Sequence, residues 1–81
     1  MDGLEKVLRN FVLKNYPWIK EVDLDFRGQP RYELFVQVIY FITEEKSFEE
    51  KKQVHKITEQ LFRMIGLPDY YILDGVRFRK I

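Results

Sequence analysis

The sequence predicts an α+β fold: an αββαβ two-layer sandwich with two helices on one face of a three-stranded mixed sheet. Two segments repeat apolar residues with the period of an α-helix, two alternate apolar and polar residues as strands do, and a third is an apolar run of strand length. A helix between two strands of one sheet favours a right-handed crossover, which puts the last strand parallel to the second and beside it. With 81 residues and no linker or repeat, we expect residues 1–81 to form one domain.

The first helix is predicted over residues 3–15. Asp2 is placed to cap its start, and Pro17 discourages it from continuing. One face of this helix carries apolar residues at the i, i+3, i+4, i+7 spacing, namely Leu4, Val7, Leu8, Phe11 and Val12.

Two strands follow, over residues 19–27 and 32–42, and the turn Gly28-Gln29-Pro30 joins them into an antiparallel hairpin. In the first strand, acidic residues alternate with the core candidates Val22, Leu24 and Phe26. The second strand, YELFVQVIYFI, is largely apolar on both faces. Because edge strands are usually the charged ones, this composition predicts the central position.

Ser47 and Glu50 form a capping-box pattern at the start of a second helix over residues 48–65. Gly66 and Pro68 are its stop signals. The last strand covers residues 70–81, with Gly75 at a bulge or bend. The predicted core stripe of the helix is Val54, Ile57, Leu61, Met64 and Ile65.

The sheet face opposite the helices is predicted to be open, with an apolar centre between an acidic and a basic edge. So much exposed apolar surface favours a homodimer in which two sheets stack, with the charges fixing the register. Two alternatives are that long Arg and Glu side chains shield this face, or that another protein or a nucleic acid covers it. The expected contact residues are Phe35, Ile39, Phe41, Asp23, Asp25, Arg77 and Arg79.

A flank of the second helix carries Phe48, His55 and Phe62 at intervals of seven residues. These residues either pack against the first helix or form a second contact surface. His55 and Glu59 also have the i, i+4 spacing of two metal ligands, and Asp74 offers a further oxygen. The simpler interpretation is that they are surface and turn residues, so we expect no cofactor, with zinc or another divalent cation as the alternative.

Composition limits the classes of function that the chain could have. The chain has no cysteine, which excludes thiolate chemistry and fits the cytoplasm, and its net charge of +1 gives no general attraction to nucleic acid or membrane. No apolar run is long enough to insert into a membrane, and no signal-peptide pattern is present. The paired carboxylates fall at exposed positions rather than in a cleft, so we do not expect an enzyme.

RNA binding is the alternative function, because an αββαβ order with aromatic residues on an open sheet is compatible with small KH-like or RRM-like RNA-binding or ribosome-associated proteins. Against it, the GxxG loop and the RNP1 spacing are missing. The acidic edge would also repel a phosphate backbone.

Residues 17–65 resemble the cytosolic C-terminal domain of cation diffusion facilitator transporters. The similarity lies in Pro17, the Asp23-Leu24 pair, the FVQV strand, and a helix that opens Ser-x-Glu-Glu and carries His55. The resemblance implies a ferredoxin-like, metallochaperone-like fold and a dimerising regulatory module. Of the metal ligands that it implies, His55 matches, Val22 replaces a histidine, and the last strand offers Asp74.

Overall fold

The structure is a computed structural model that describes residues 3–28, 34–64 and 71–81. The elements are α1 (Gly3–Leu8), a π-helical segment (Arg9–Leu13), β1 (Ile19–Gly28), β2 (Leu34–Ile42), α2 (Phe48–Met64) and β3 (Tyr71–Lys80). The strands form one mixed sheet in the order β1-β2-β3, with β1 antiparallel and β3 parallel to β2. The predicted α+β sandwich with β2 at its centre is therefore confirmed.

The hydrophobic core lies between the sheet and the two helices. Alternate residues of β2 face it and have no exposed surface: Val36, Val38, Tyr40 and Ile42. The helices meet them with a further buried set, which consists of Leu4, Leu8, Val12, Val54 and Leu61. Both helices thus cover the same face of the sheet, as the sequence predicts.

The first helix changes geometry halfway along. Its π-helical segment, Arg9–Leu13, has hydrogen bonds that reach back five residues and widen the turn. The extra residue in this turn rotates the following side chains, so Leu13 packs against the core and Phe11 is 54% exposed. The prediction that Phe11 is a core residue was wrong for this reason.

The helices cover the core-facing side chains of β1 less completely toward the end of the strand. Val22 is 2% exposed and Leu24 is half-buried, whereas Phe26 is 40% exposed. The prediction that Phe26 belongs to the core was therefore wrong, although it lies on the core-facing side in register with Val36. Alternation predicts which way a side chain points but not how far the opposite layer extends.

The second helix begins with the predicted capping box. The backbone N–H of Glu50 donates to Ser47 Oγ at 3.3 Å, and that hydroxyl lies 3.2 Å from Glu50 Oε1. The core stripe is Val54, Thr58 and Leu61, and Thr58 is fully buried. Met64, in the last described turn, is 78% exposed and so is not the core residue that we expected.

A bulge interrupts β3 where Gly75 was predicted to mark one. Leu73 pairs with Val36 and Gly75 pairs with Gln37, so Asp74 is the extra residue. Other expectations lie outside the described residues, namely those for Asp2, Gln29, Pro30, Tyr32, Ile65, Gly66 and Pro68. Among the helices of the described residues, none is long and apolar enough to cross a membrane.

Candidate interaction surface

The face of the sheet opposite the helices carries rows in which an acid, an apolar residue and a base follow one another across the strands. Within the described part of the chain, the apolar residues of these rows do not belong to the hydrophobic core between sheet and helices. The same is true of Phe35. The register of β1, β2 and β3 aligns two such rows: Asp23–Ile39–Arg77 and Glu21–Phe41–Arg79. The structure thus places the predicted contact residues on one face, which we call the open face.

The apolar strip of the open face is partly accessible. Phe35 is 41% exposed, and Ile39 and Phe41 are half-buried. Since no described helix lies on this side, the partial burial comes from neighbouring side chains within the sheet. Shielding by those side chains is therefore incomplete, and most so at Phe35.

The charges of the open face differ in how far they are already paired. Asp25 forms an ion pair with Arg27 at 3.1 Å. Asp23 accepts a hydrogen bond from the backbone N–H of its neighbour Leu24 and forms no ion pair with any other residue that the structure describes. Among the described residues, neither Arg77 nor Arg79 forms an ion pair, so the row through Ile39 keeps both of its charges available to a partner.

Glu21 forms an ion pair with the first helix. The Arg9 guanidinium forms ion pairs with both Glu5 and Glu21, and so links the first helix to the edge strand β1. The hydrogen bond to Glu5, followed by that to Glu21, raises the pKa of Arg9. Sequence spacing does not bring Arg9 to Glu21, although Glu5 and Arg9 have the i, i+4 spacing of a helical ion pair.

The three metal-ligand candidates line one cavity of about 560 Å³ between α2 and β3. His55 Nε2 lies 2.8 Å from Glu59 Oε1, as their spacing predicts. The Asp74 carboxylate instead accepts a hydrogen bond from the Gln37 amide at 3.2 Å. Within residues 3–28, 34–64 and 71–81, no three His, Asp or Glu side chains are grouped closely enough to hold one metal ion.

The flank of α2 that carries Phe48, His55 and Phe62 lies beside β3. Phe48 and His55 line a second cavity, of about 240 Å³, together with Val76 and Phe78. Phe48 is 75% exposed. Phe48 therefore does not pack against the first helix, and its role in a contact surface stays a prediction.

These features define a small ferredoxin-like α+β sandwich with an open, charge-polarised sheet face. A solved structure with this fold is the MamB CTD, a magnetosome protein of Desulfamplus magnetovallimortis BW-1. The TM-score is 0.69 and the identity 17%, over 99% of this chain and 95% of that chain. The sequence matches no family model and no curated protein. At this identity the similarity shows the fold alone, which is the fold that the resemblance implies.

Proposed function

We propose that this chain is a cytoplasmic, non-enzymatic regulatory module that dimerises through the open face of its sheet. The resemblance of residues 17–65 to the cytosolic domain of cation diffusion facilitator transporters, together with the fold shared with the MamB CTD, supports a role like that of such a domain. The observation that carries the proposal is the row Asp23–Ile39–Arg77, in which one acid and one base flank an apolar centre.

The row is complementary in charge to the same row of a second copy that runs in the opposite direction. In a dimer with a two-fold axis parallel to the strands, Asp23 of each copy lies over Arg77 of the other, and Ile39 lies over Ile39. An axis across the strands would instead oppose acid to acid and base to base. The charges therefore favour the first arrangement, in which the contact is isologous and closes after two copies.

Apolar and charged residues have different roles in this contact. Burial of Phe35, Ile39 and Phe41 supplies most of the driving force, because the removal of apolar surface from water contributes most of the favourable free energy in protein association. The edge charges stay near solvent, where they contribute more to orientation and association rate than to affinity. Stacked sheets lie about 10 Å apart, a distance that arginine side chains can bridge.

Charge reversal on each edge tests this arrangement. The variant Asp23→Lys/Asp25→Lys makes both edges basic, and Arg77→Glu/Arg79→Glu makes both acidic. Each variant alone should associate more weakly than the native chain, and an equimolar mixture should recover association as a heterodimer. A mixture that stays as monomeric as its components, measured by sedimentation velocity, would contradict the proposal.

If zinc or another divalent cation regulates this chain, we propose that it binds to His55 and Glu59, with Asp74 in the same cavity. Two adjacent ligands are fewer than the four that a structural zinc site takes, so the dimer is proposed to form without metal. Isothermal titration with zinc, compared between the native chain and His55→Ala, tests this part separately.

A further inference from the structure

A trough lies between one flank of α2 and β3. It consists of two cavities, of about 560 and 240 Å³, and His55 lines both of them. Phe48, at the start of α2, lies beside Phe78 near the end of β3, whereas Phe62 lies beside Leu73 near the start of the strand. Helix and strand are thus antiparallel, and the trough runs along the strand.

β3 is an edge strand. It spans 10 residues, Tyr71–Lys80, and pairs with β2 on one side. No described strand pairs with its other side. A free edge of this kind presents backbone N–H and C=O groups that are placed to bind a further strand.

The core-facing side chains of β3 are less covered than those of β2. Val38 and Tyr40 have no exposed surface, but the residues paired with them, Val76 and Phe78, are only half-buried. The helical layer therefore closes over β2 and leaves the outer side of β3 uncovered. A strand placed beside β3 would fill the trough with the side chains that it directs toward α2.

The charges around the trough are mostly basic near the end of β3. Lys51 and Lys52 line the smaller cavity, and Arg77 and Arg79 alternate with its wall residues along β3. Lys51 is bonded to Glu45 at 2.9 Å, whereas Lys52, Arg77 and Arg79 form no ion pair within the described part of the chain. Opposite charges on neighbouring strands stabilise a sheet, so acidic residues suit the strand that would pair with β3.

We infer that β3 binds a fourth strand supplied by a partner: an extended peptide in which acidic residues alternate with apolar ones. Its apolar side chains enter the trough beside Phe48, Val76 and Phe78, and its acidic side chains lie next to Arg77 and Arg79. Addition of a strand to a sheet edge is an established mode of peptide recognition. A nucleic acid has no alternating N–H and C=O groups to pair with the edge, so the peptide is the better fit. The trough itself lies on the helical side of the sheet, whereas Arg77 and Arg79 belong to the open face, so the peptide would share these two arginines with the proposed dimer.

A short capped peptide of alternating Glu and Val, labelled with fluorescein, is the probe. We expect saturable binding to the full chain by fluorescence anisotropy. The same peptide methylated at every backbone nitrogen keeps its charge but loses its N–H donors, and should bind about tenfold more weakly or worse. A peptide of alternating Lys and Val should not bind.

Two variants of the trough have matched controls. Phe48→Ala and Lys52→Glu should each weaken binding by about tenfold. Phe11→Ala and Lys56→Glu change residues of the same types that are also exposed but line neither cavity, and should leave binding unchanged. Phe35→Asp weakens the proposed dimer but leaves the trough and both arginines intact, so it should bind the peptide no more weakly than the native chain does.

The inference is overturned if the acidic peptide does not bind, if the methylated or Lys–Val peptide binds equally well, or if the trough variants and their controls behave alike. Preferential binding of a short labelled oligouridine that Lys52→Glu abolishes would also overturn it, in favour of a nucleic-acid site. Slower amide hydrogen exchange in β3 on addition of the Glu–Val peptide would support it directly.

Discussion

Tyr40 of β2 and Thr58 of α2 share a buried hydrogen bond, with 2.7 Å between their hydroxyl oxygens. The Thr58 hydroxyl donates to the Val54 carbonyl at 2.8 Å, so the proton between Tyr40 and Thr58 comes from Tyr40. Both side chains are fully buried, and this pair connects the central strand to the helix above it. A polar pair in so small a core stabilises the fold only while both partners are present.

We expect Thr58→Val to lower the free energy of unfolding by about 1–3 kcal/mol, because it leaves the buried Tyr40 hydroxyl without an acceptor. Tyr40→Phe should cost less, since Thr58 keeps its bond to Val54. Urea denaturation followed by circular dichroism measures both, with Thr43→Val as an exposed control. Equal effects of Thr58→Val and Thr43→Val would contradict this role.

The same pair predicts how stability depends on pH in alkali. Burial raises the pKa of Tyr40 above its ordinary value of 10.0. The unfolded chain releases this proton more easily, so the stabilisation is fully present below about pH 10 and is lost as the pH rises further. Unfolding at a series of alkaline pH values should show this loss, and Tyr40→Phe should reduce it.

Absorbance of tyrosinate provides the corresponding control. Of the five tyrosines, Tyr40 should ionise only together with loss of the native circular dichroism signal. Ionisation of all five in the folded protein would show that Tyr40 is not held protonated.

The π-helical segment makes a prediction about Phe11. Because Phe11 is 54% exposed, Phe11→Ala should change the free energy of unfolding by less than about 1 kcal/mol. Leu8→Ala, at a fully buried position, should cost about 2–5 kcal/mol. Urea denaturation of both variants tests the helix geometry, and a large loss of stability in Phe11→Ala would indicate a regular α-helix instead.

The orientation of the proposed dimer can be tested by cross-linking, because the native chain has no cysteine. With the two-fold axis parallel to the strands, a short bismaleimide linker should join an Asp23→Cys chain to an Arg77→Cys chain. Each variant alone should cross-link more slowly. Faster linkage of the Asp23→Cys chain to itself, seen by denaturing electrophoresis, would indicate the axis across the strands.

The sequence predicts the element order and the two faces of the sheet because apolar periodicity and capping act over a few residues. The alternation around Val38 and the Ser47–Glu50 pair are sufficient for these predictions. The π-helical turn is not predictable in this way, and neither is the exposure of Phe26, because each depends on packing between layers that are distant along the chain.

The features of the candidate surface also differ in how far the sequence predicts them. Strand order and alternation are sufficient to place Asp23, Ile39 and Arg77 on one face of the sheet, whereas their alignment in one row depends on the register that the structure shows. The bond between Arg9 and Glu21 joins elements whose relative position no local pattern specifies. The sequence does indicate the buried hydrogen bond of Thr58. A threonine at i+4 from Val54 on an apolar stripe requires a hydrogen-bond partner in the core.

The proposed dimer forms through the apolar residues of the open face, so replacing them with acids should abolish self-association. Sedimentation equilibrium over a range of concentrations measures this by comparing the native chain with Phe35→Asp/Ile39→Asp. We predict that the native chain forms a dimer and that the variant is a monomer with native circular dichroism. A native chain that stays monomeric at every concentration, or a folded variant that still dimerises, would contradict the claim.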